Sequence, residues 1–224
     1  MTAFLRIGIL LFFGSFLHSA NAQSTSDSIN REMLLFPEFV TGKVLMKNGA
    51  METTPLNYNI EQQNIVFIQN RQYLLLTGLE LVDTVYLQGR RFLPVGTRVC
   101  ELVATEGPYH LLATYAGKLV PLTATADHGG IVQKANNEVS NTVTGVYVSR
   151  NYKSRTQMQA MPHFWIEHKG SLAEIDSRKQ LLKAVRSELR PSVQAYLDSH
   201  PVNFTQAADM RALLQVVAKA DAQR

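Results

Sequence analysis

Turn signals recur about every 8 to 12 residues between Phe36 and Leu122, and that spacing limits the fold more than any other feature of this chain. Residues 40–47 run into Asn48-Gly49, a dipeptide suited to positive φ at both centres of a type I′ turn. Residues 65–68 turn at 69–71 and return as 72–77. Residues 82–87 turn at Gln88-Gly89 and return as 90–95. Residues 99–104 end at Glu106-Gly107-Pro108, and residues 109–115 are expected to turn at Ala116-Gly117 and return as 118–122. Segments this short do not sustain amphipathic helices; they suit antiparallel strands joined by tight turns. Leu74-Leu75-Leu76 is apolar at consecutive positions, so its strand is expected to be covered on both faces or to lie where the sheet curls onto itself. Further strands are expected at 145–150 and 163–167, the latter turning at Lys169-Gly170 into a short return at 171–175. Residues 123–142 lack periodicity and read as a long loop.

The pattern changes near Asp176. Ser177 or Asp176 can cap a helix reaching about Leu189, with Leu181, Leu182, Val185 and Leu189 at helical spacing. Pro191 suits the first turn of a second helix, and Met210, Leu213, Leu214 and Val217 form the apolar stripe of a third over 206–219. The fold class expected is α+β: a mainly antiparallel sheet (meander, sandwich or partly open barrel) with a C-terminal tail of two or three helices. The expected organisation is a signal peptide at 1–22, a flexible leader at 23–35, an antiparallel β domain at 36–175 and a helical tail at 176–224 packed on it.

Export is read from the first 22 residues. Arg6 is the positive n-region, residues 7–17 are an apolar h-region, and Ala20-Asn21-Ala22 is a small-x-small cleavage site. The apolar run is about half the roughly 20 residues a spanning helix needs. No cysteine lies at the cleavage site to carry a lipid, and no later segment reads as a transmembrane helix. A periplasmic, secreted or cell-surface address follows. It removes nucleic acid from the expected partners, and no cofactor is implied. The lone Cys100 cannot form an intramolecular disulfide, and its strand-like setting suits a buried, inert thiol.

No catalytic or metal motif stands out. The closest histidine pair, His163 and His168, is five residues apart, which in a strand puts the rings on opposite faces. Asp127-His128-Gly129-Gly130 reads as a turn, no Gly-x-Ser-x-Gly elbow is present, and Cys100 lacks a helix N-terminus to stabilise a thiolate. The best contact candidates are Tyr147, Arg150, Tyr152, Lys153 and Arg155, where basic and aromatic residues interleave. Residues 23–149 carry 9 basic and 11 acidic groups, whereas residues 150–224 carry 12 basic and 7 acidic groups, so the C-terminal part can face an anionic envelope surface.

Three elements carry a family resemblance: the opening hairpin from Phe36-Pro37-Glu38-Phe39 to Lys47-Asn48-Gly49, the Leu56-Asn57-Tyr58-Asn59 run, and the Val82-to-Leu87 strand. With the helical tail from Arg178 onward, they resemble a group of uncharacterised exported proteins of Gram-negative bacteria. The resemblance implies export and a sheet-plus-helix fold, and no activity or site residues. The function expected is a non-enzymatic module that binds a protein or envelope component. The alternatives are a carrier of a small lipid or sugar and a hydrolase assembled around Asp127-His128.

Overall fold

The computed structural model describes residues 29–121 and 156–223. Ten strands form one antiparallel sheet in the order β10-β9-β8-β7-β6-β5-β1-β2-β3-β4. They are β1 (Val40–Met46), β2 (Met51–Asn59), β3 (Asn64–Gln69), β4 (Gln72–Leu75), β5 (Val82–Leu87), β6 (Arg90–Val95), β7 (Arg98–Glu106), β8 (Tyr109–Pro121), β9 (Thr156–His168) and β10 (Ser171–Glu174). The sheet curls into a half-barrel. The Val99 amide donates to the Gln63 carbonyl at 2.8 Å, and the Tyr58 hydroxyl donates to the Val99 carbonyl at 3.0 Å, so β7 meets the β2–β3 turn across the curl. The α+β class and the antiparallel sheet hold; a meander, sandwich or partly open barrel is expected from the sequence, and the sheet is a curled half-barrel.

Tight turns set the register. Gln88-Gly89, Asn70-Arg71 and Lys169-Gly170 each have positive φ at both centres, as two-residue type I′ hairpins require. Asn48-Gly49 differs from expectation. Only Gly49 has positive φ (87°), the Gly49 amide donates to the Met46 carbonyl, and the Met46 amide donates to the Ala50 carbonyl. The loop is therefore a three-residue turn ending in a glycine bulge, in which Asn48 also accepts a bond from the Ala50 amide at 2.9 Å.

Ala116-Gly117 is a second correction: it lies inside β8, which pairs with β9 without a break from Tyr109↔His168 to Pro121↔Thr156. The glycine serves a close approach instead, since a Cβ there would stand 2.5 Å from the Met158 sulfur and 3.3 Å from Ile60. Strand β9 correspondingly begins well before residue 163. The segment expected as a flexible leader also differs over its described part. A 3₁₀ turn at Arg31–Met33 leads into a bridge between Leu34 and Asn59, and Met33 and Leu35 pack on the sheet interior.

The Leu56-Asn57-Tyr58-Asn59 run is buried throughout, and each side chain has a structural task. Leu56 and Tyr58 fill the interior of the curl, with the Tyr58 ring 5.5 Å from Phe92 and edge-on to Tyr115 at 5.8 Å. Asn57 accepts from the Phe36 amide and donates to the Phe36 and Glu38 carbonyls, so it ties the 36–38 backbone to the sheet. Asn59 accepts from the Glu61 and Gln62 amides and shapes the turn into β3. Phe39 then packs beside Tyr73 of the edge strand β4, with ring centroids 5.5 Å apart.

Three helices follow β10: α1 (Arg178–Ala184), α2 (Arg190–Ser199) and α3 (Ala207–Ala222). Ser177 caps α1 as expected, accepting from the Gln180 amide. The helix stops earlier than its apolar spacing suggests, because Val185 is extended, yet Val185 and Leu189 remain buried. Pro191 sits in the first turn of α2. The stripe Met210, Leu213, Leu214 and Val217 buries against Tyr109, Leu111, Ala113, Phe164 and Ile166.

The described residues thus form two apolar cores, one inside the curl and one under the helices, and β8 and β9 run through both. No helix among the described residues is long and apolar enough to cross a membrane. Residues 1–22, the 123–142 stretch and the strand expected at 145–150 lie outside the described residues.

Candidate functional site

Alternation along β8 and β9 sends successive side chains to opposite faces. On the inner face, Tyr109, Leu111, Ala113, Phe164 and Ile166 meet the helices. The outer face carries His110, Leu112 and Thr114 on β8 and His163, Trp165 and Glu167 on β9, in direct cross-strand register. The β9–β10 hairpin adds Leu172 opposite Glu167 and Glu174 opposite Trp165. Just past the end of β10 the Ile175 amide donates to the Phe164 carbonyl, and Asp176 follows it with its side chain against His163.

Trp165, the single tryptophan of the chain, is the centre of this face. Its indole N–H donates to the Thr114 hydroxyl at 3.3 Å, and the Arg98 guanidinium lies 5.3 Å from its ring centroid. Cys100, Leu112 and Thr114 are buried around it. Burial pushes the Cys100 thiol up to about 11, so the expected inert thiol fits its setting.

Beside the indole, His163 Nδ1 and Asp176 Oδ2 are 2.5 Å apart. The other Asp176 oxygen accepts from the Phe164 amide at 2.6 Å, which fixes the carboxylate plane. With Glu174, these residues place three potential metal-ligand atoms within 4.8 Å of one another. The pairing of His163 with two carboxylates escaped sequence reasoning, which compared it only with His168. The signal was present in the turn: a two-residue loop at Lys169-Gly170 pairs His168 with Ser171, and counting outward brings 163 opposite 176.

His168 lies on the opposite face from His163, as an odd separation in a strand demands. Its ring stacks on Tyr109 at 4.1 Å, and its Nδ1 is buried with no hydrogen-bond partner among the described residues. Desolvation, reinforced by Lys169 and Arg186, holds its pKa below the usual histidine value. The Tyr109 hydroxyl donates to Asp221, which also pairs with Arg186. Next to this group, a cleft of about 370 Å³ opens between the β7–β8 turn and the end of α3, lined by Glu106, Pro108, Gln215, Lys219 and Asp221.

A third polar cluster sits in the curl. Arg90 donates to Glu101 and to the Tyr115 hydroxyl, which itself donates to Glu101. The guanidinium also lies 5.1–5.3 Å from the ring centroids of Phe36, Phe92 and Tyr115. Burial raises the pKa of Tyr115 and of Tyr58, so both phenols stay protonated well past their usual range. Every member of this cluster has partners within the protein, which suits a structural plug.

The contact candidates Tyr147, Arg150, Tyr152, Lys153 and Arg155 lie outside the described residues, as do Asp127 and His128. In the basic C-terminal part, Arg178 pairs with Asp198 and Arg186 with Asp221, so part of the positive charge is met within the protein. Comparison with protein-family models, characterised proteins and solved structures gives no match for this chain.

Proposed function

We propose that this chain is an exported, non-enzymatic module that binds a protein or envelope component through the outer face of β7–β10. The observation that carries the reading is the placement of Trp165. Both apolar cores are filled without it, and it stands partly exposed on the outer face with Arg98 against its ring. Tryptophan and arginine are the side chains most enriched among residues that dominate binding energy, because each combines large contact area with a directional polar group. Leu172, 37% exposed, with His163, Glu174 and Asp176 supplies an apolar and polar rim around that anchor.

A carrier of a small lipid or sugar is less well supported. Leu56, Tyr58, Ile65, Leu87 and Phe92 are fully buried and occupy the inside of the curl themselves.

In-cell crosslinking followed by mass spectrometry tests the proposal. The expected result is a discrete adduct that is lost in Trp165→Ala, with far-UV circular dichroism unchanged. Recovery of only free monomer from the wild type overturns it.

A further inference from the structure

We propose that His163, Glu174 and Asp176 form a site for a divalent transition metal of the zinc class on the outer face of the β9–β10 hairpin. The inference stands apart from the docking role, since it concerns the isolated protein.

The geometry comes from the hairpin register. Glu174 pairs with Trp165 across the hairpin, and Asp176, just past the end of β10, reaches His163 through its side chain, so the ligand atoms of the imidazole and both carboxylates lie within 4.8 Å of one another. One nitrogen and two carboxylate donors make a mixed set that suits zinc and its neighbours. Calcium takes six to eight oxygens and magnesium keeps most of its waters, so neither is matched as well.

Three protein ligands leave one tetrahedral position for water, the arrangement of an open zinc site. Zinc–ligand distances near 2.0–2.2 Å put tetrahedral donors roughly 3.3 Å apart. The His163–Asp176 contact of 2.5 Å must therefore widen by about 0.8 Å, and the widest separation, within 4.8 Å, must close by up to about 1.5 Å. Partly exposed side chains on a rigid backbone make such adjustments by small χ rotations.

Asp176 is already oriented, because its second oxygen is held by the Phe164 amide at 2.6 Å. Such outer hydrogen bonds fix ligating carboxylates in metal sites. His163 Nδ1 and Asp176 Oδ2 already contact each other at 2.5 Å.

The neighbouring indole makes the test direct, as Trp165 is the only tryptophan and pairs with Glu174 across the hairpin. The purified protein, stripped with chelator, is titrated with Zn²⁺ by calorimetry and with Co²⁺ by absorption and Trp165 fluorescence. The expected result is one equivalent of Zn²⁺ bound at micromolar or tighter Kd, a tetrahedral Co²⁺ spectrum and a saturable fluorescence change. Glu174→Gln is expected to weaken binding at least tenfold while leaving the chelator-treated unfolding transition unchanged. His163→Gln is expected to abolish it. Asp176 also accepts from the Phe164 amide, so a change there touches the backbone as well as the metal, and the first two variants decide the question. No binding by the wild type at tenfold molar excess overturns the proposal. Binding that survives both substitutions overturns it equally, because the ion then sits elsewhere.

Discussion

Arg90 shows what one residue does in the curl. Its guanidinium neutralises Glu101, whose side chain is only 10% exposed, and lies against three aromatic rings. Arg90→Met keeps the length of the side chain and strands a buried carboxylate, so it is expected to lower stability by about 3 kcal/mol in urea denaturation. Cys100 makes a second case. Its folded pKa, about 11, exceeds the unfolded reference of 9.0 because burial disfavours the thiolate.

A raised folded pKa gives stability that is complete below the unfolded value and is lost as pH climbs through the folded one. The urea midpoint is therefore expected to fall between pH 9 and 11, with Tyr58 and Tyr115 adding to the loss above pH 10. Cys100→Ala is expected to remove the earliest part of that fall, measured as midpoint against pH. His168 works in the other direction. Its folded pKa is depressed, so its contribution is present above the unfolded value near 6.5 and lost as pH drops. His168→Phe, which keeps an aromatic ring against Tyr109, is expected to flatten the pH 7-to-5 dependence of the same midpoint.

At the scale of elements, the hairpins decide what meets what. The β8–β9 register holds His163 and Trp165 on the outer face, and a one-residue slip in β9–β10 would turn Glu174 to the other face, so the turn at Lys169-Gly170 decides whether Glu174 joins them. Gly42 in β1 constrains the curl in a similar way. A Cβ there would stand 2.8 Å from the Tyr86 carbonyl oxygen and 2.6 Å from Leu56. Gly42→Ala is expected to cost about 1–3 kcal/mol by chemical denaturation, because a backbone neighbour yields less readily than a side chain.

Most of the element order was legible: strands β1 to β7, their hairpins and the helices near 178, 191 and 206 all follow from turn residues and apolar spacing. Two of the misreadings share one cause. Gly117 looks like a turn signal locally, but its role is set by Met158 and Ile60 from elsewhere in the chain. The polar opening segment looked solvated, yet Met33 and Leu35 gain a partner surface only once the sheet has curled.

Across the whole molecule, the two cores are joined through β8 and β9, whose continuous pairing spans both. The curl and the helices should therefore unfold together. Phe92→Ala in the first core and Leu213→Ala in the second are each expected to cost about 2–5 kcal/mol. A single transition, coincident by Trp165 fluorescence and circular dichroism, is the expected outcome in both variants.

What the amino-acid order determined alone is local: where strands turn, where helices are capped and which stripes are apolar. These follow from backbone preferences and periodicity within a few residues. The tertiary structure decided which faces met and which charges were paired. Arg90 finds Glu101 and Tyr115, and His163 finds Glu174 and Asp176, only through strand register and the curl of the sheet. Such contacts depend on long-range pairing, whose geometry is a property of the assembled sheet and of no single segment.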